Sequence, residues 1–232
     1  MTSGTWEDFH GRALPAENQD DRRTSAMRDE KISDFLSRLA DRVPAPGGGA
    51  AAALQAAQAA ALLGMVARYS TGEKYAEHAS VIERITGETD ELRAIALRLA
   101  EDDAAAFTAV TEAYKLPKDT DEAKAARSAA IAEALVGAGR VPAEVVAVAR
   151  KAVGIAEELL PIGNRNVVSD IAAATEAARA AATTARVNIE INLGGIKDER
   201  ARAELAAEAA GVDDVAARAE RVTAAVREEI AK

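Results

Sequence analysis

The apolar residues of this chain are mainly alanine, and this constrains its fold more than any other feature. Hydrophobic residues make up 49% of the 232 residues, whereas aromatic residues make up only 3%. Alanine is the best helix former and a poor strand former. Because its side chain fills little space, alanine-rich helices must approach one another closely to bury a core. The composition therefore predicts closely packed helices.

Helical spacing of apolar residues begins near Lys31 and continues with few interruptions to the end of the chain. The strongest break is the segment 43–49, which contains two prolines and three glycines, and further breaks lie at 70–74, 116–119 and 161–166. No segment shows the alternation typical of strands. We therefore predict an all-α bundle of about seven or eight helices, several of them long, in a molecule expected to be dimeric.

Local signals predict two helix starts and one domain boundary. Asp119 and Glu122 form a capping pair for the helix after the break at 116–119. Pro142 occupies a position where another helix could begin. Residues 1–30 are polar and predict a flexible N-terminal extension, followed by one helical domain over residues 31–232.

Charge and cysteine content exclude several functions. The net charge of −9 and the pI of about 5.0 argue against nucleic acid or an anionic membrane surface as a partner. The absence of cysteine excludes disulfides, thiolate catalysis and cysteine-bound metals. The longest apolar run, from Ala50 to Val66, is interrupted by two glutamines and predicts a buried core helix, not a membrane span. With no secretory signal in residues 1–30, a cytoplasmic location is expected.

Asp103 is the acidic residue best suited to chemistry. It lies four residues after Leu99 and four before Phe107, so it shares the apolar stripe of its helix. A carboxylate on such a stripe is costly unless it is paired or functional. Burial would raise its pKa, which suits a general acid or base. The alternative is a structural aspartate that is hydrogen-bonded to a neighbour.

Pro46, Gly47, Gly48 and Gly49 come directly before the alanine-rich helix. Exposed backbone N–H groups and the helix dipole could hold an anion or a ligand oxygen at this point. The segment is not a nucleotide phosphate loop, because no Gly-Lys-Ser/Thr follows it. A tight turn that lets two helices meet closely is the more ordinary interpretation.

Asn166, Ser169 and Asp170 lie in or just after the break at 161–166. Asparagine, serine and aspartate are common in loops and at helix N-termini. A loop followed by a helix cap would therefore account for these residues without any role in binding.

Asn188 and Asn192 lie four residues apart on one helix face. Asparagine is a mediocre helix former, so two on one face indicate a polar lining or interhelical hydrogen bonds. Lys118 places a single cation beside a chain break, where a solvated lysine is the default interpretation.

Together these segments resemble the cyclodeaminase/cyclohydrolase family, which includes formiminotetrahydrofolate cyclodeaminases and bacterial methenyltetrahydrofolate cyclohydrolases. The resemblance covers about residues 31–230 and rests on the order and spacing of motifs that are each weak alone. The matching segments are, in chain order, Phe35-Leu36 with Leu39-Ala40, Pro44-Ala45-Pro46-Gly47-Gly48-Gly49, Met65-Val66, Gly72 with Lys74-Tyr75, Asp103-Ala104 with Ala106-Phe107, Tyr114-Lys115-Leu116-Pro117-Lys118, Val141-Pro142, Gly163-Asn164 with Asn166, Val168-Ser169-Asp170, and Asn188 to Leu193 followed by Ile196-Lys197-Asp198.

The resemblance implies an all-helical homodimer that acts on a one-carbon unit carried by tetrahydrofolate, including polyglutamylated forms. It implies that Asp103 is the catalytic acid, and that no metal or cofactor is needed beyond the tetrahydrofolate substrate. Lys118 would meet the glutamate carboxylates of the folate. The residues implied to line the pocket are Pro46, Gly47, Gly48, Gly49, Asn166, Ser169, Asp170, Asn188 and Asn192.

The two reactions of the family share their chemistry. In cyclodeamination, N10 of the folate attacks the formimino carbon and ammonia leaves. In cyclohydrolysis, water attacks the methenyl carbon and the ring opens to 10-formyltetrahydrofolate. Both pass through a tetrahedral carbon between two nitrogens and need a group that shuttles a proton, a role open to one carboxylate. We favour the cyclodeaminase slightly, although no residue separates the two.

Two positions differ from the usual family pattern. Ala50 follows the three glycines where serine is common, and Ala105 replaces a second acid near Asp103. These differences motivate an alternative hypothesis, a helical dimer that binds folate or a partner protein and has lost catalytic activity. A purely structural bundle is the remaining alternative.

Overall fold

In the computed structural model, which describes residues 26–232, seven α-helices follow one another along the chain, and these residues contain no strand. This confirms the predicted all-α bundle of seven or eight helices. Short 3₁₀ segments at Met27–Asp29, Glu73–His78 and Arg165–Val167 precede the first, third and fifth helices. The helices are α1 (Ile32–Ala40), α2 (Gly48–Tyr69), α3 (Ala79–Lys115), α4 (Asp121–Ile162), α5 (Val168–Leu193), α6 (Glu199–Ala210) and α7 (Val212–Ile230).

Helix α2 lies between α3 and α5, and α3 runs antiparallel to it. Gly49, in the first turn of α2, meets Asp103 in the second half of α3. Gly64, fifteen residues further along α2, approaches Thr89, which lies earlier in α3. The two contacts fix both the direction and the register of the pair.

Helix α5 is also antiparallel to α2. Before α5 begins, Asn164 is fixed to the C-terminal end of α2: its backbone N–H donates to Ser70 Oγ and its Nδ2 donates to the Tyr69 carbonyl, each at 2.8 Å. Near the other end of α5, Asn188 Nδ2 lies 4.0 Å from the position of a Cβ on Gly48. Helix α4 packs against α2, α3 and α5, and α7 packs against α4 and α5.

The core is rich in alanine, as the composition predicted. Among the buried residues of α2, only Leu63 and Val66 are larger than alanine. Within the described residues, α2 is the one helix long and apolar enough to cross a membrane, with a mean hydropathy of 1.6 in its most apolar window. The bundle buries 61% of that window. The run from Ala50 to Val66 is therefore a core helix, as predicted.

A helix begins after the break at 116–119, as predicted, but its predicted capping residue and the second helix start, at Pro142, are wrong. Pro142 lies inside α4, which continues unbroken from Asp121 to Ile162. A proline is tolerated there because Pro142 is buried in the bundle, where packing offsets the lost helix hydrogen bond. The residue that caps α4 is Thr120, whose Oγ1 accepts the N–H of Ala123 at 3.1 Å. Thr120, and not Asp119, directly precedes the first helical residue, as a cap must.

Replacing Thr120 with alanine is expected to lower the free energy of unfolding by about 1 kcal/mol, because the Ala123 N–H loses its partner. Urea denaturation followed by circular dichroism measures the change. Asp119→Ala is the matched control and should leave the midpoint unchanged. An equal loss in the two variants would contradict the assignment of the cap.

The predicted extension over residues 1–30 lies mostly outside the described residues, and for residues 1–25 it stays a prediction. Residues 26–30 are described. Arg28 donates to Glu101 of α3 from its side chain, with an Nη2–Oε2 distance of 2.6 Å, and also from its backbone N–H. This last part of the segment is therefore attached to the surface of α3.

Candidate active site

Asp103 reaches from α3 to the first turn of α2. Its Oδ2 accepts the backbone N–H of Ala50 at 3.0 Å. A Cβ on Gly49 would overlap the Asp103 carboxyl group, so only glycine leaves room for this approach. The structure thus places the predicted acid and the predicted glycine turn in direct contact.

The side of α3 that carries Asp103 becomes more exposed along the helix. Leu99, one turn earlier, is buried, whereas Phe107, one turn later, is 48% exposed. The predicted apolar stripe therefore faces the core only as far as Asp103, which is itself only partly buried. Beyond this residue α3 extends past the first turn of α2, so one side of the carboxylate faces the surface of the chain.

Burial raises the pKa of the Asp103 carboxyl above its ordinary value, and the hydrogen bond from the Ala50 N–H partly opposes this shift. No ion pair of Asp103 with a lysine, arginine or histidine occurs within residues 26–232. A carboxyl group without a fixed cation can exchange its proton with a ligand more readily than one held in an ion pair.

The first turn of α2 offers further donors beside Asp103. The first backbone hydrogen bond of the helix runs from the Ala51 N–H to the Gly47 carbonyl at 3.0 Å. The N–H groups of Gly48 and Gly49 therefore have no acceptor four residues back within the helix. Pro46, in a cis peptide bond after Ala45, is buried directly before this turn.

Asn188 and Asn192 lie on α5 at the same end of α2, and both donate to backbone carbonyls. Asn188 Nδ2 donates to the Thr184 carbonyl at 2.9 Å, and Asn192 Nδ2 donates to the Asn188 carbonyl at 2.8 Å. Their side-chain oxygens remain as acceptors for a ligand. The predicted polar face of this helix is thus present next to the Gly48 turn.

Asn192 also makes the predicted interhelical hydrogen bond. The acceptor of this bond explains how Pro142 can lie inside α4. Within α4, the Ala138 carbonyl would normally accept the N–H of residue 142, and proline has none. Asn192 Nδ2 lies 3.4 Å from this carbonyl and donates to it from α5. Asn192 therefore replaces a hydrogen bond that the helix itself cannot form.

The structure does not bring Asn166, Ser169 and Asp170 to this place within one chain. They follow Asn164, which is bound to the C-terminal end of α2, and the Asn166 N–H donates to Asn164 Oδ1 at 3.0 Å. Helix α2 has 22 residues and is about 33 Å long, so these residues lie roughly that far from Asp103.

Lys118 lies in the exposed loop between α3 and α4. Twelve residues of α3 separate Asp103 from Lys115, a rise of about 18 Å, before the chain leaves the helix. Within one chain, only an extended ligand could touch both Asp103 and Lys118.

Two surface cavities occur elsewhere among the described residues. One, of about 480 Å³, lies between α4 and α6. The other, of about 330 Å³, adjoins the C-terminal end of α2 and is lined by Arg68, Ser70, Thr71, Gly72, Tyr75, Ala79, Ile82, Glu83 and Thr86. Asp103 lines neither of these two cavities.

The sequence analysis did not identify Ala50 as a partner of Asp103. The contact is made by a backbone N–H, which leaves no trace in side-chain patterns; the position of Ala50 in the first turn of a helix was the available signal. Ala105 is exposed on α3, away from the buried side that carries Leu99. Within residues 26–232, no cluster of three or more histidine, aspartate or glutamate side chains could hold a metal ion.

The fold and this site together define a class of protein. It is an all-α bundle in which one carboxylate lies against the first turn of a core helix, and this carboxylate forms no ion pair within the described part of the chain. The family described as Formiminotransferase-cyclodeaminase matches residues 31–211. The chain belongs to this family.

Individual relatives agree with this assignment. The chain is 42% identical to the methenyltetrahydrofolate cyclohydrolase of Methylorubrum extorquens over 176 residues, which are 75% of this chain and 84% of that protein. It is 33% identical to the formimidoyltransferase-cyclodeaminase of Mus musculus over 175 residues, 75% of this chain but only 32% of the longer mouse protein. The crystal structure of formiminotetrahydrofolate cyclodeaminase from Thermotoga maritima superposes with a TM-score of 0.78 at 29% identity, covering 88% of this chain and 98% of that one.

Proposed function

We propose that the chain is a folate one-carbon enzyme that hydrolyses 5,10-methenyltetrahydrofolate, with Asp103 as its general acid and base. The observation that carries the proposal is the carboxyl group of Asp103, held at the first turn of α2 without a counter-charge in the described residues. Identity supports the choice of reaction: it is 42% to a cyclohydrolase and 32–34% to the bifunctional cyclodeaminases. This favours the cyclohydrolase over the cyclodeaminase that the sequence alone slightly favoured.

In this mechanism the ionised Asp103 removes a proton from water as its oxygen adds to the methenyl carbon. The positive charge of the amidinium is neutralised, and a tetrahedral carbon forms between N5 and N10. The protonated Asp103 then gives its proton to N5 as the carbon–N5 bond breaks, and the hydroxyl group on the carbon loses its proton to solvent as the formyl C=O forms. The products are 10-formyltetrahydrofolate and one released proton. A raised pKa suits both steps, because a carboxyl group closer to neutrality accepts and donates a proton with similar ease.

The surrounding polar groups would orient the folate. The N–H groups of Gly48 and Gly49 point out of the first turn of α2 and can donate to an oxygen of the ligand. The side-chain amide of Asn188 lies beside the same turn, and its oxygen can accept from an N–H of the pterin. Lys118 would meet the glutamate tail and not the reacting carbon, because it lies in the loop beyond Lys115, which is itself about 18 Å along α3 from Asp103.

A second candidate is the cyclodeaminase reaction on 5-formiminotetrahydrofolate. The observation in its favour is the superposition on the Thermotoga maritima cyclodeaminase, which covers 98% of that chain. The same carboxylate could take the proton from N10 and pass it to the departing ammonia. Because both reactions use Asp103 in similar ways, the substrate has to be decided by assay.

The test is to add the purified chain to 5,10-methenyltetrahydrofolate and to 5-formiminotetrahydrofolate and to follow the methenyl absorbance. Loss of absorbance from the first, faster than the spontaneous hydrolysis, is the expected result. A gain of absorbance from the second would favour the cyclodeaminase. Folate binding without turnover of either would support the inactive binding dimer, and no turnover and no binding would refute the folate proposal.

Two further parts of the proposal follow from the same site. We propose that the reaction needs no metal or cofactor beyond the tetrahydrofolate substrate, since proton transfer by one carboxylate completes it. We also propose a cytoplasmic location, where the folate substrates of such an enzyme are found, with α2 kept inside the bundle.

A further inference from the structure

We infer that the part of α3 beyond Asp103 binds the p-aminobenzoylglutamate half of the folate, with Phe107 against its aromatic ring and Arg127 of α4 on its first glutamate. The inference rests on the proposed function, in which Asp103 acts on the one-carbon unit. It adds two binding residues to the site, and it fixes the direction in which the folate lies along α3.

An apolar stripe continues along α3 beyond Asp103. Phe107, Val110 and Tyr114 follow Asp103 at intervals of four, three and four residues, so the four side chains lie on one face of the helix. The first turn of α2 is level with Asp103, so α2 does not cover the rest of this face. Phe107 is 48% exposed and Tyr114 is 53% exposed. Two aromatic side chains therefore stand open beside the proposed catalytic carboxylate.

Arg127 lies at the far end of this stripe, where Tyr114 holds it. Its Nε and Nη2 donate to the Tyr114 carbonyl at 3.3 and 3.2 Å, and its guanidinium carbon lies 5.6 Å from the centre of the Tyr114 ring. The nearby Lys115 and Lys124 pair with acids, whereas Arg127 forms no ion pair within residues 26–232. Its other N–H groups are therefore available to a carboxylate, which a guanidinium can bind through two parallel hydrogen bonds.

The position of Phe107 suits the p-aminobenzoyl ring. This ring is bonded to N10, the nitrogen next to the reacting carbon, so its centre lies roughly 4 Å from that carbon. Phe107 lies one helical turn beyond Asp103, about 6 Å along α3. Aromatic rings in contact have their centres about 4.5–7 Å apart, in edge-to-face or offset stacked arrangements. A folate whose one-carbon unit is at Asp103 can therefore place its ring against Phe107.

The position of Arg127 suits the first glutamate. In an extended tail the γ-carboxylate lies roughly 13 Å from the one-carbon unit, counted in standard bond lengths. Tyr114, which holds Arg127, is about 17 Å along α3 from Asp103, and a hydrogen bond of about 3 Å spans most of the difference. The pterin then lies toward the first turn of α2 and Asn188. Lys118, in the loop beyond, is left for additional glutamates.

A substrate without glutamate tests the role of Arg127. Arg127→Gln should raise KM for 5,10-methenyltetrahydrofolate about 10-fold with kcat unchanged, because the lost contact is equally strong in the ground and transition states. It should leave KM unchanged for 5,10-methenyltetrahydropteroate, which has the aromatic ring but no carboxylate tail. Partial loss of folding would lower kcat for both substrates alike and cannot produce this difference.

The matched control for Arg127→Gln is Lys124→Gln, which changes a cation of the same helix that pairs with Asp121. It should behave as the wild type toward both substrates. If Arg127→Gln changes KM equally for the two substrates, or for neither, Arg127 does not bind the glutamate and the inference is wrong.

Phe107→Ala should raise KM about 10-fold for both substrates, since both carry the ring, whereas Phe107→Tyr keeps an aromatic face and should stay within about twofold of the wild type. The control is Ile230→Ala, which removes a side chain that is 61% exposed near the other end of the bundle. Sedimentation of the same preparations tests whether a second copy of the chain covers the stripe instead. A change in association with an unchanged KM would refute the assignment of Phe107 to the ligand.

Binding of 5-formyltetrahydrofolate, a folate that the proposed reaction does not consume, separates the inference from the proposed function. Calorimetry should show a Kd about 10-fold weaker in Phe107→Ala and in Arg127→Gln, and an unchanged Kd in the two controls. If the wild-type chain turns over neither folate substrate but shows this pattern, the proposed function fails and the inference stands. If the chain is active and both variants bind and turn over folate as the wild type does, the inference fails and the proposed function stands.

Discussion

Replacing Asp103 with asparagine is expected to lower kcat for methenyltetrahydrofolate hydrolysis by about 10²- to 10⁴-fold, the contribution typical of general acid–base catalysis. Asparagine keeps the size of the side chain and can still accept the Ala50 N–H, but it cannot take up or release a proton. Stopped-flow absorbance and the melting temperature should be measured on the same preparations.

The control for this variant is Asp102→Asn, which changes the neighbouring, exposed carboxyl group and should keep wild-type turnover. Asp103→Asn should also be at least as stable as the wild type at neutral pH. The raised pKa means that the folded chain holds this proton more tightly than the unfolded chain, so the carboxylate weakens folding as the pH rises through its pKa. A fully active Asp103→Asn enzyme would refute the role of Asp103.

The dependence of kcat/KM on pH should also reflect the raised pKa of Asp103. Because the ionised carboxyl group removes the proton from water, kcat/KM should fall on the acidic side, with a midpoint above the ordinary aspartate pKa. That acidic limb should disappear from the residual activity of Asp103→Asn. If the variant keeps the limb, another group is responsible for it.

Replacing Gly49 with alanine is expected to have the second-largest effect. The added methyl group would overlap the Asp103 carboxyl group, which must then move by an ångström or more. A displacement of about 1 Å at a reacting group can cost 10²-fold in rate, and overpacking of this kind costs about 1–3 kcal/mol of stability. Turnover and urea denaturation would report both losses.

Two glycine variants far from the site separate these effects. In Gly64→Ala the new Cβ would lie 2.8 Å from Thr89 Oγ1, so stability should fall while turnover remains. In Gly87→Ala the new Cβ has no atom within 4 Å, so the helix should gain about 0.5–1 kcal/mol. If Gly64→Ala loses as much activity as Gly49→Ala, general destabilisation and not displacement of Asp103 would explain both.

Much of the fold was predictable because local signals determine it. Helical periodicity, glycine and proline breaks and the abundance of alanine predicted the helices and the core role of α2. They also predicted Asp103 on the apolar stripe of its helix, whereas the structure shows that it is only partly buried. Pro142 was misassigned because a proline in a helix interior is normally excluded. Here a side chain on another helix supplies the missing hydrogen bond, and that donor cannot be seen from the α4 sequence alone.

The site was predictable only in part, for a geometric reason. The order of motifs along a chain does not state which ends of antiparallel helices meet. Asp103, the glycine turn, Asn188 and Asn192 lie at one end of α2, whereas Asn166 and its neighbours lie at the other. Only the fold shows this separation.

The hydrogen bond from Asn192 to the Ala138 carbonyl has a consequence for how α4 and α5 align. The buried face of α5 consists mostly of alanine, so it offers few large side chains to fix its position along α4. A slide would remove this donor from the partly buried Ala138 carbonyl, at a cost of about 0.5–1.5 kcal/mol, the net contribution of a typical hydrogen bond. Pro142 and Asn192 therefore act as a lock on the register of two helices, which keeps Asn188 level with the first turn of α2.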